Sequence, residues 1–207
     1  MAQKNEEREA RKAYMRRRQT KVFSTVGVVL AVVLVIALLV AFHVGGLGTV
    51  NSSEDEPNYG VVTACPVASA DGSKGKYLDN RNVTVRVLNG TSSAGFAGAV
   101  GSALENREFV LQSVDNYKDS DVKRTTIYFG KNAINEAYTV AGNIPDAQMV
   151  MDNRDDKLVD VVLGSTFDNL TPESDVPKTN SDIKGFSNCV DASKLGKLPA
   201  AEAHNNV

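Results

Sequence analysis

An apolar stretch at residues 22–44 constrains this chain more than any other feature. It reads VFSTVGVVLAVVLVIALLVAFHV and contains no Asp, Glu, Lys or Arg. A helix of about 20 apolar residues spans the ~30 Å hydrocarbon core of a bilayer. A helix in a soluble core would show a polar stripe with a period of 3.6 residues, and this stretch shows none. The sequence therefore predicts a transmembrane helix over residues 22–44.

A cleaved signal peptide is the alternative interpretation of the same stretch. The apolar region of a signal peptide is usually about 7–15 residues long, and small residues at a cleavage site follow it. The stretch here is longer, and Phe42, His43 and Val44 make a poor cleavage site. An uncleaved membrane anchor fits these residues better.

The distribution of charge predicts the orientation of this anchor. Residues 1–21 carry eight basic and three acidic side chains, a net charge of +5, whereas the whole chain has −2, so residues 22–207 carry −7. Basic residues beside a span stay on the cytoplasmic side, which places residues 1–21 inside the plasma membrane and the rest of the chain outside. The basic run could instead bind nucleic acid, but topology already explains its position. A net-negative exterior is also poorly suited to polyanions, so we expect no nucleic-acid partner.

The exported part divides into three predicted regions. Residues 45–81 are rich in Gly, Ser, Asn and Asp and are expected to form a linker. Residues 82–164 hold the patterned segments of a domain. Residues 165–207 contain Pro172, Pro177 and Pro199 among many polar residues and are expected to form an irregular tail.

Alternating apolar residues and glycine punctuation predict the elements of the domain. Strands are predicted at 82–88, 109–114, 125–129, 147–151 and 158–163, and helices at 94–106 and 133–142. The order β-α-β-β-α-β-β predicts an α/β (α+β) sandwich of the split βαβ kind, with both helices on one face of the sheet. A domain of about 80 residues buries a small core and is marginally stable without additional cross-links.

The two cysteines lie on opposite flanks of this domain. Cys65 precedes it and Cys189 follows it, and both are in the predicted exported part, where disulfides persist. We predict a disulfide between Cys65 and Cys189 that joins linker and tail. Free thiols, or thiols paired between molecules, are the alternative.

The candidate binding site is the turn Asn89-Gly90-Thr91, where the first strand meets the first helix. Backbone N–H groups at a helix N-terminus can bind a phosphate or carboxylate. The alternative is that Asn89-Gly90 makes the turn with positive φ angles and Thr91 or Ser92 caps the helix. Within that helix, Gly95, Gly98 and Gly101 do not form a nucleotide-binding fingerprint and are expected to allow close packing on the sheet.

Other polar residues do not match known catalytic or metal-binding patterns. Asp152, Asp155 and Asp156 lack the spacing of a calcium loop, so residues 152–157 are expected to form a solvated hairpin turn. His43 and His204 lie far from any candidate nucleophile. We therefore expect no catalytic residues, no metal site and no cofactor.

An RNA-binding version of the same fold is also unsupported. Such a fold would need aromatic side chains stacked on one face of the sheet. The adjacent Tyr128 and Phe129 face opposite sides of a strand, and no RNA-binding motif is present.

Three segments resemble the LytR C-terminal domain found in bacterial envelope proteins. They are residues 83–90 (VTVRVLNG), 125–130 (TTIYFG) and 159–164 (VDVVLG), within a region of about 80 residues. The resemblance, in the form where this domain stands alone behind one membrane span, implies a cell-envelope location and a role near wall polymers. It supplies no chemistry, and the chain has no room between the span and residue 82 for the LytR-CpsA-Psr catalytic domain.

These observations favour a non-catalytic envelope protein whose exported domain binds a cell-wall polymer or a partner envelope protein. An accessory or catalytic component of wall-polymer transfer is a second hypothesis, and it would need a pocket lined by groups such as Asn89, Thr91 and Arg86. A purely structural tether is a third hypothesis. The sequence does not identify the ligand, the partner or the oligomeric state.

Overall fold

The structure is a computed structural model that describes residues 15–16, 23–35, 37–38, 56–69, 72–205 and 207. The chain divides into two compact units, Met1–Asn51 and Ser52–Val207. In the first unit, residues 23–35 and 37–38 are helical (α1). No helix among the described residues is long and apolar enough to cross a membrane. The remainder of the predicted span, and most of the predicted basic tail, lie outside the described residues.

The described residues of the second unit form a five-stranded mixed sheet, two α-helices and three short 3-10 helices. The strands are β1 (Thr84–Asn89), β2 (Val110–Asn116), β3 (Thr126–Phe129), β4 (Gln148–Met151) and β5 (Val159–Leu163), and the helices are α2 (Phe96–Asn106) and α3 (Ile134–Ala141). The sheet order is β2-β1-β5-β3-β4. Every strand and helix predicted within residues 82–164 is present, with bounds at most two residues from those expected.

Connectivity differs from the predicted split βαβ arrangement, which is wrong. β1 and β2 are parallel neighbours joined by α2, and β3 and β4 are parallel neighbours joined by α3. β5 lies between the two βαβ units, parallel to β1 and antiparallel to β3. The last strand therefore joins two complete βαβ units into one sheet.

The core lies between one face of the sheet and the two helices. Alternate residues of a strand point to the same face, and in β1 and β5 these are the buried residues Val85, Val87, Val159 and Val161. They belong to a single apolar cluster that includes Leu104 of α2 as well as side chains of α3. Both helices therefore pack on the same face of the sheet.

The glycines of α2 have three different roles. Gly95 is the N-cap residue and has a φ of 75°, a conformation that favours glycine. Gly101 faces β2, since a Cβ there would lie 3.3 Å from side-chain atoms of Leu111 and Val114. Gly98 has no atom within 4 Å of its Cβ position. The expected close packing on the sheet therefore applies to Gly101.

Segments outside the predicted domain also pack against it. Backbone bridges join Ala64 to Val190 and Lys76 to Asp182, and Ala64 is fully buried. The described part of the predicted linker, residues 56–69 and 72–81, and residues 165–205 of the predicted tail therefore contribute to the second compact unit, Ser52–Val207, which is larger than residues 82–164.

The outer edge of β4 is covered by the segment that enters this unit. The side chain of Asn58 accepts a hydrogen bond from the backbone N–H of Met149 at 2.7 Å and donates one to its carbonyl oxygen at 2.9 Å. Asn58 and Tyr59 both have positive φ angles, 51° and 54°. The Tyr59 ring lies 3.7 Å from the guanidinium carbon of Arg124. One side chain thus occupies the place that a further strand would take beside β4.

Candidate functional site

The predicted ligand-binding turn has its polar side chains bonded to one another. The Asn89 side chain donates to the Ser93 carbonyl oxygen at 2.7 Å and accepts from the Thr91 backbone N–H at 3.0 Å. The Thr91 hydroxyl donates to Asn89 at 2.9 Å and accepts from the Ser93 N–H at 3.2 Å. The structure brings Asn89, Gly90 and Thr91 together, and their contacts stabilise the turn itself.

Two expectations about this turn are wrong. Gly90 does not have a positive φ, and it is needed because a Cβ would lie 2.6 Å from the carbonyl oxygen of Leu163. The helix begins at Phe96 with Gly95 as its N-cap and without a side-chain cap, so Thr91 and Ser92 do not cap it.

A second group of polar residues lies on the opposite face of the sheet, which we call the helix-free face. Arg86 of β1, Asp160 of β5 and Tyr128 of β3 occupy neighbouring positions there. The Arg86 guanidinium donates to both carboxylate oxygens of Asp160, at 2.8 and 2.7 Å. Both residues are buried. Arg86 is therefore on the other side of the sheet from Asn89, and they do not line one pocket.

The ion pair extends into a buried network through Arg154. Its Nη2 lies 2.7 Å from Asp152 and 2.8 Å from Asp160. Burial opposes the charge on Arg154, but the hydrogen bonds that its guanidinium donates to Asp152 and Asp160 outweigh this effect, so the pKa of Arg154 is raised above its usual value. The two arginines and two aspartates balance in charge, which is the condition under which ions can be buried in a protein.

The connection between β4 and β5 is consequently not the solvated hairpin turn that was expected. β3 lies between these strands in the sheet, so they do not form a hairpin. Asp152, at the start of the connection, is buried and paired with Arg154. Among the described residues no three His, Cys, Asp or Glu side chains are placed to hold a metal ion.

The C-terminal segment crosses the helix-free face. We call residues 199–207 the strap, and the structure describes all of them except residue 206. The Ala203 carbonyl oxygen accepts a hydrogen bond from Arg86 Nη1 at 2.7 Å, and Glu202 forms an ion pair with Lys118. Where the strap begins, a cavity of about 470 Å³ is lined by Met151, Leu198 and neighbouring residues. The strap thus lies over the charged network.

The predicted disulfide is present. Cys65 and Cys189 are bonded with a Cα–Cα distance of 4.9 Å and a sequence separation of 124. Near this bond, the Tyr138 hydroxyl donates to the Ala64 carbonyl oxygen at 2.9 Å. The Tyr138 ring packs against Phe186 with centroids 5.9 Å apart. The disulfide therefore joins the two flanking segments beside α3.

The sequence prediction missed the helix-free face, although a signal for it was present. Arg86 and Asp160 are single charged residues of opposite sign, each within a strand otherwise rich in valine and leucine. Isolated charges in buried strands require partners, and two opposite charges are natural partners for each other. The strap carried no such signal, since its residues are mostly small or polar.

Comparison with protein families agrees with the resemblance seen in the sequence. Residues 82–167 match the family described as LytR cell envelope-related transcriptional attenuator. A solved structure, the soluble domain of a conserved hypothetical secreted protein from Mycobacterium marinum, is 28% identical over 49% of this chain and 71% of that chain, with a TM-score of 0.46. No curated protein matches the chain.

Proposed function

Because residues 82–167 form a domain of the LytR cell envelope-related family, we propose that this chain is a single-pass membrane protein of the bacterial cell envelope. Its exported domain is a non-catalytic binding module that acts near wall polymers or the enzymes that assemble them. An accessory or catalytic part in wall-polymer transfer, and a purely structural tether, are the alternatives.

Three features support export and anchoring. The described apolar side chains of α1 are exposed, among them Phe23 at 73%, Val28 at 64% and Leu30 at 63%, and a lipid environment would cover them. The basic residues precede this helix, as expected for a cytoplasmic N-terminus. The Cys65–Cys189 disulfide suits an oxidising compartment outside the cytoplasm.

The helix-free face is the surface that best supports a binding role. It combines the guanidinium of Arg86 with the amide of Gln112 and the ammonium group of Lys118, and all three already contact the strap. Phosphate or carboxylate groups of a polymer, and backbone carbonyls of a protein, are the acceptors that such donors recognise. The predicted turn at Asn89–Thr91 is the second candidate surface, and its polar side chains are bonded internally.

A pull-down of the full-length chain in detergent tests this proposal. Purified cell walls, and walls stripped of teichoic acids and other glycans, serve as the two baits. We expect binding to native walls that falls on stripping if a polymer is the ligand. If both wall preparations retain the chain equally, together with bound envelope enzymes, the partner is a protein. If the chain binds to neither preparation, the structural-tether hypothesis is favoured.

A matched pair of variants locates the surface. Gln112→Ala removes one donor of the helix-free face, and Thr91→Ala removes the hydroxyl of the turn. In the chain that ends at Leu198, where Gln112 no longer holds the strap, we expect Gln112→Ala to weaken binding and Thr91→Ala to leave it unchanged. The reverse pattern would assign binding to the Asn89–Thr91 turn.

A further inference from the structure

We propose that the helix-free face is a groove for an extended acidic peptide of a partner protein, and that the strap occupies this groove within the same chain. The inference rests on the proposed binding role and names the chemical class of the partner. It also assigns the strap a regulatory role, because a partner peptide and the strap cannot occupy the same groove together.

The strap is bound through its backbone with a period of two residues. The residues that make these contacts are Pro199, Ala201, Ala203 and Asn205. Asn153 in the β4–β5 connection donates its backbone N–H to the Pro199 carbonyl oxygen at 3.1 Å. Its side-chain oxygen accepts a hydrogen bond from the Ala201 N–H at 2.8 Å. Arg86 donates to the Ala203 carbonyl oxygen and Gln112 donates to the Asn205 carbonyl oxygen, each at 2.7 Å. Alternate residues of an extended chain turn the same way, so these contacts recognise an extended peptide irrespective of its side chains.

The intervening residues contribute contacts that depend on sequence. Glu202 pairs with Lys118, and His204 Nε2 lies 3.1 Å from Asp156. Backbone hydrogen bonds for affinity and alternate side chains for specificity are the mode in which proteins bind extended peptides. A partner segment that suits this groove therefore carries an acidic residue opposite Lys118, a small residue above Arg86 and a hydrogen-bond donor opposite Asp156.

The strap lacks the apolar contacts that would hold it permanently. None of its described residues is buried, and Ala203, above Arg86, is exposed. Just before the strap, Leu195 and Leu198 pack against the apolar core. Segments with few buried apolar contacts open at low free-energy cost, so residues 199–207 can leave the face while residue 198 stays in place.

Competition follows from the covalent connection of the strap. A ligand on a short flexible link has an effective concentration in the millimolar range. A free peptide with the same contacts therefore binds the intact chain much more weakly than a chain without the strap. Release of the strap exposes the groove to a partner.

The test uses the full-length chain in detergent, the same chain ending at Leu198, and a fluorescent peptide with the sequence of residues 199–207. Fluorescence anisotropy measures binding of the peptide to each chain. We expect binding to the shortened chain that is about tenfold or more tighter than to the intact chain. Absence of binding to the shortened chain, or equal binding to both chains, would overturn the proposal.

A charge reversal provides the internal control. A peptide with Glu202→Lys is expected to bind the shortened chain about fivefold more weakly, and Lys118→Glu in the shortened chain is expected to restore its binding. The Lys118 side chain is 68% exposed, so this variant is expected to keep the fold. Loss of binding without restoration would contradict the assigned pairing.

Two further outcomes separate this inference from the proposed function. If the shortened chain ignores the peptide but binds native walls better than the intact chain does, the groove takes a polymer, and only the peptide assignment fails. If intact chains form dimers through exchanged straps, the second occupant of the groove is another copy of this chain, and the assignment to a partner protein fails.

Discussion

Removal of the disulfide by the double substitution Cys65→Ser and Cys189→Ser is expected to destabilise the second compact unit strongly without changing its packed core. The bond closes a loop over a sequence separation of 124. In the chain-entropy account a cross-link of this span lowers the entropy of the unfolded chain by an amount worth about 5 kcal/mol at 25 °C. Domains of this size have a total unfolding free energy of about 5–15 kcal/mol, so the loss removes a large share of it.

Urea unfolding of the full-length chain in detergent, followed by circular dichroism, measures this effect. With a slope of about 2 kcal/mol per molar urea, a loss of about 5 kcal/mol lowers the midpoint by about 2.5 M. The slope should also rise, because an unfolded chain without the cross-link exposes more surface. Reduction of the native chain serves as the control and should give the same shift, whereas the double variant should not respond to reductant.

The entropic reasoning would be refuted by an unchanged midpoint and slope in both the double variant and the reduced chain. A lowered midpoint with an unchanged slope would place the effect in lost contacts of the folded state. The hydrogen bonds that the Cys65 N–H donates to the Val190 carbonyl oxygen at 2.8 Å and the Cys189 N–H donates to the Phe186 carbonyl oxygen at 3.2 Å are contacts of this kind.

Three other predictions concern the sheet, a helix and a tyrosine. Asp160→Asn should destabilise the domain by about 3–5 kcal/mol, since it leaves the buried guanidinium groups of Arg86 and Arg154 without a full partner. The control Asp182→Asn, in an exposed ion pair, should lower the free energy of unfolding by less than about 1 kcal/mol. Equal urea midpoints for the two variants would contradict this. Gly98→Ala should stabilise the chain by up to about 1 kcal/mol. Gly130→Ala should prevent folding, because its Cβ would lie 2.1 Å from the carbonyl oxygen of Arg154. A higher melting temperature for Gly130→Ala than for Gly98→Ala would contradict the packing described here. Burial raises the pKa of Tyr128 to about 12, so the folded state keeps this proton to a higher pH than the unfolded state does. The free energy of unfolding should therefore fall between about pH 10 and 12. Tyr128→Phe should reduce this fall, and an unchanged pH dependence would show that other groups cause it.

Local patterns predicted the elements of this domain because the patterns reflect short-range physics. Val85 and Val87 alternate with Thr84, Arg86 and Leu88, and a strand with one face on the core follows from that period. Strand order depends on contacts between distant parts of the chain, and a period of two residues in one strand does not specify its neighbours. The split βαβ prediction was therefore wrong although every strand was placed.

The candidate site was harder to predict for a related reason. Asn89 and Thr91 offered donors in sequence, but the backbone around them folds so that they bond to each other. Arg86 becomes a candidate for binding in the folded chain, because folding places Asp160 and the strap beside it. The disulfide was predictable because each flank of the domain carries a single cysteine.

The Asn58 contact with β4 has a mechanical consequence for the exported unit. A load applied to the chain ahead of residue 56 reaches this unit at the hydrogen bond that Asn188 donates to the Pro57 carbonyl oxygen and at the two hydrogen bonds between Asn58 and Met149. If they break, the segment can peel away only as far as Cys65, where the bond to Cys189 carries the load covalently. Seven residues extend by roughly 25 Å at most. The segment thus acts as a short extensible link, and a load beyond that extension passes to the disulfide.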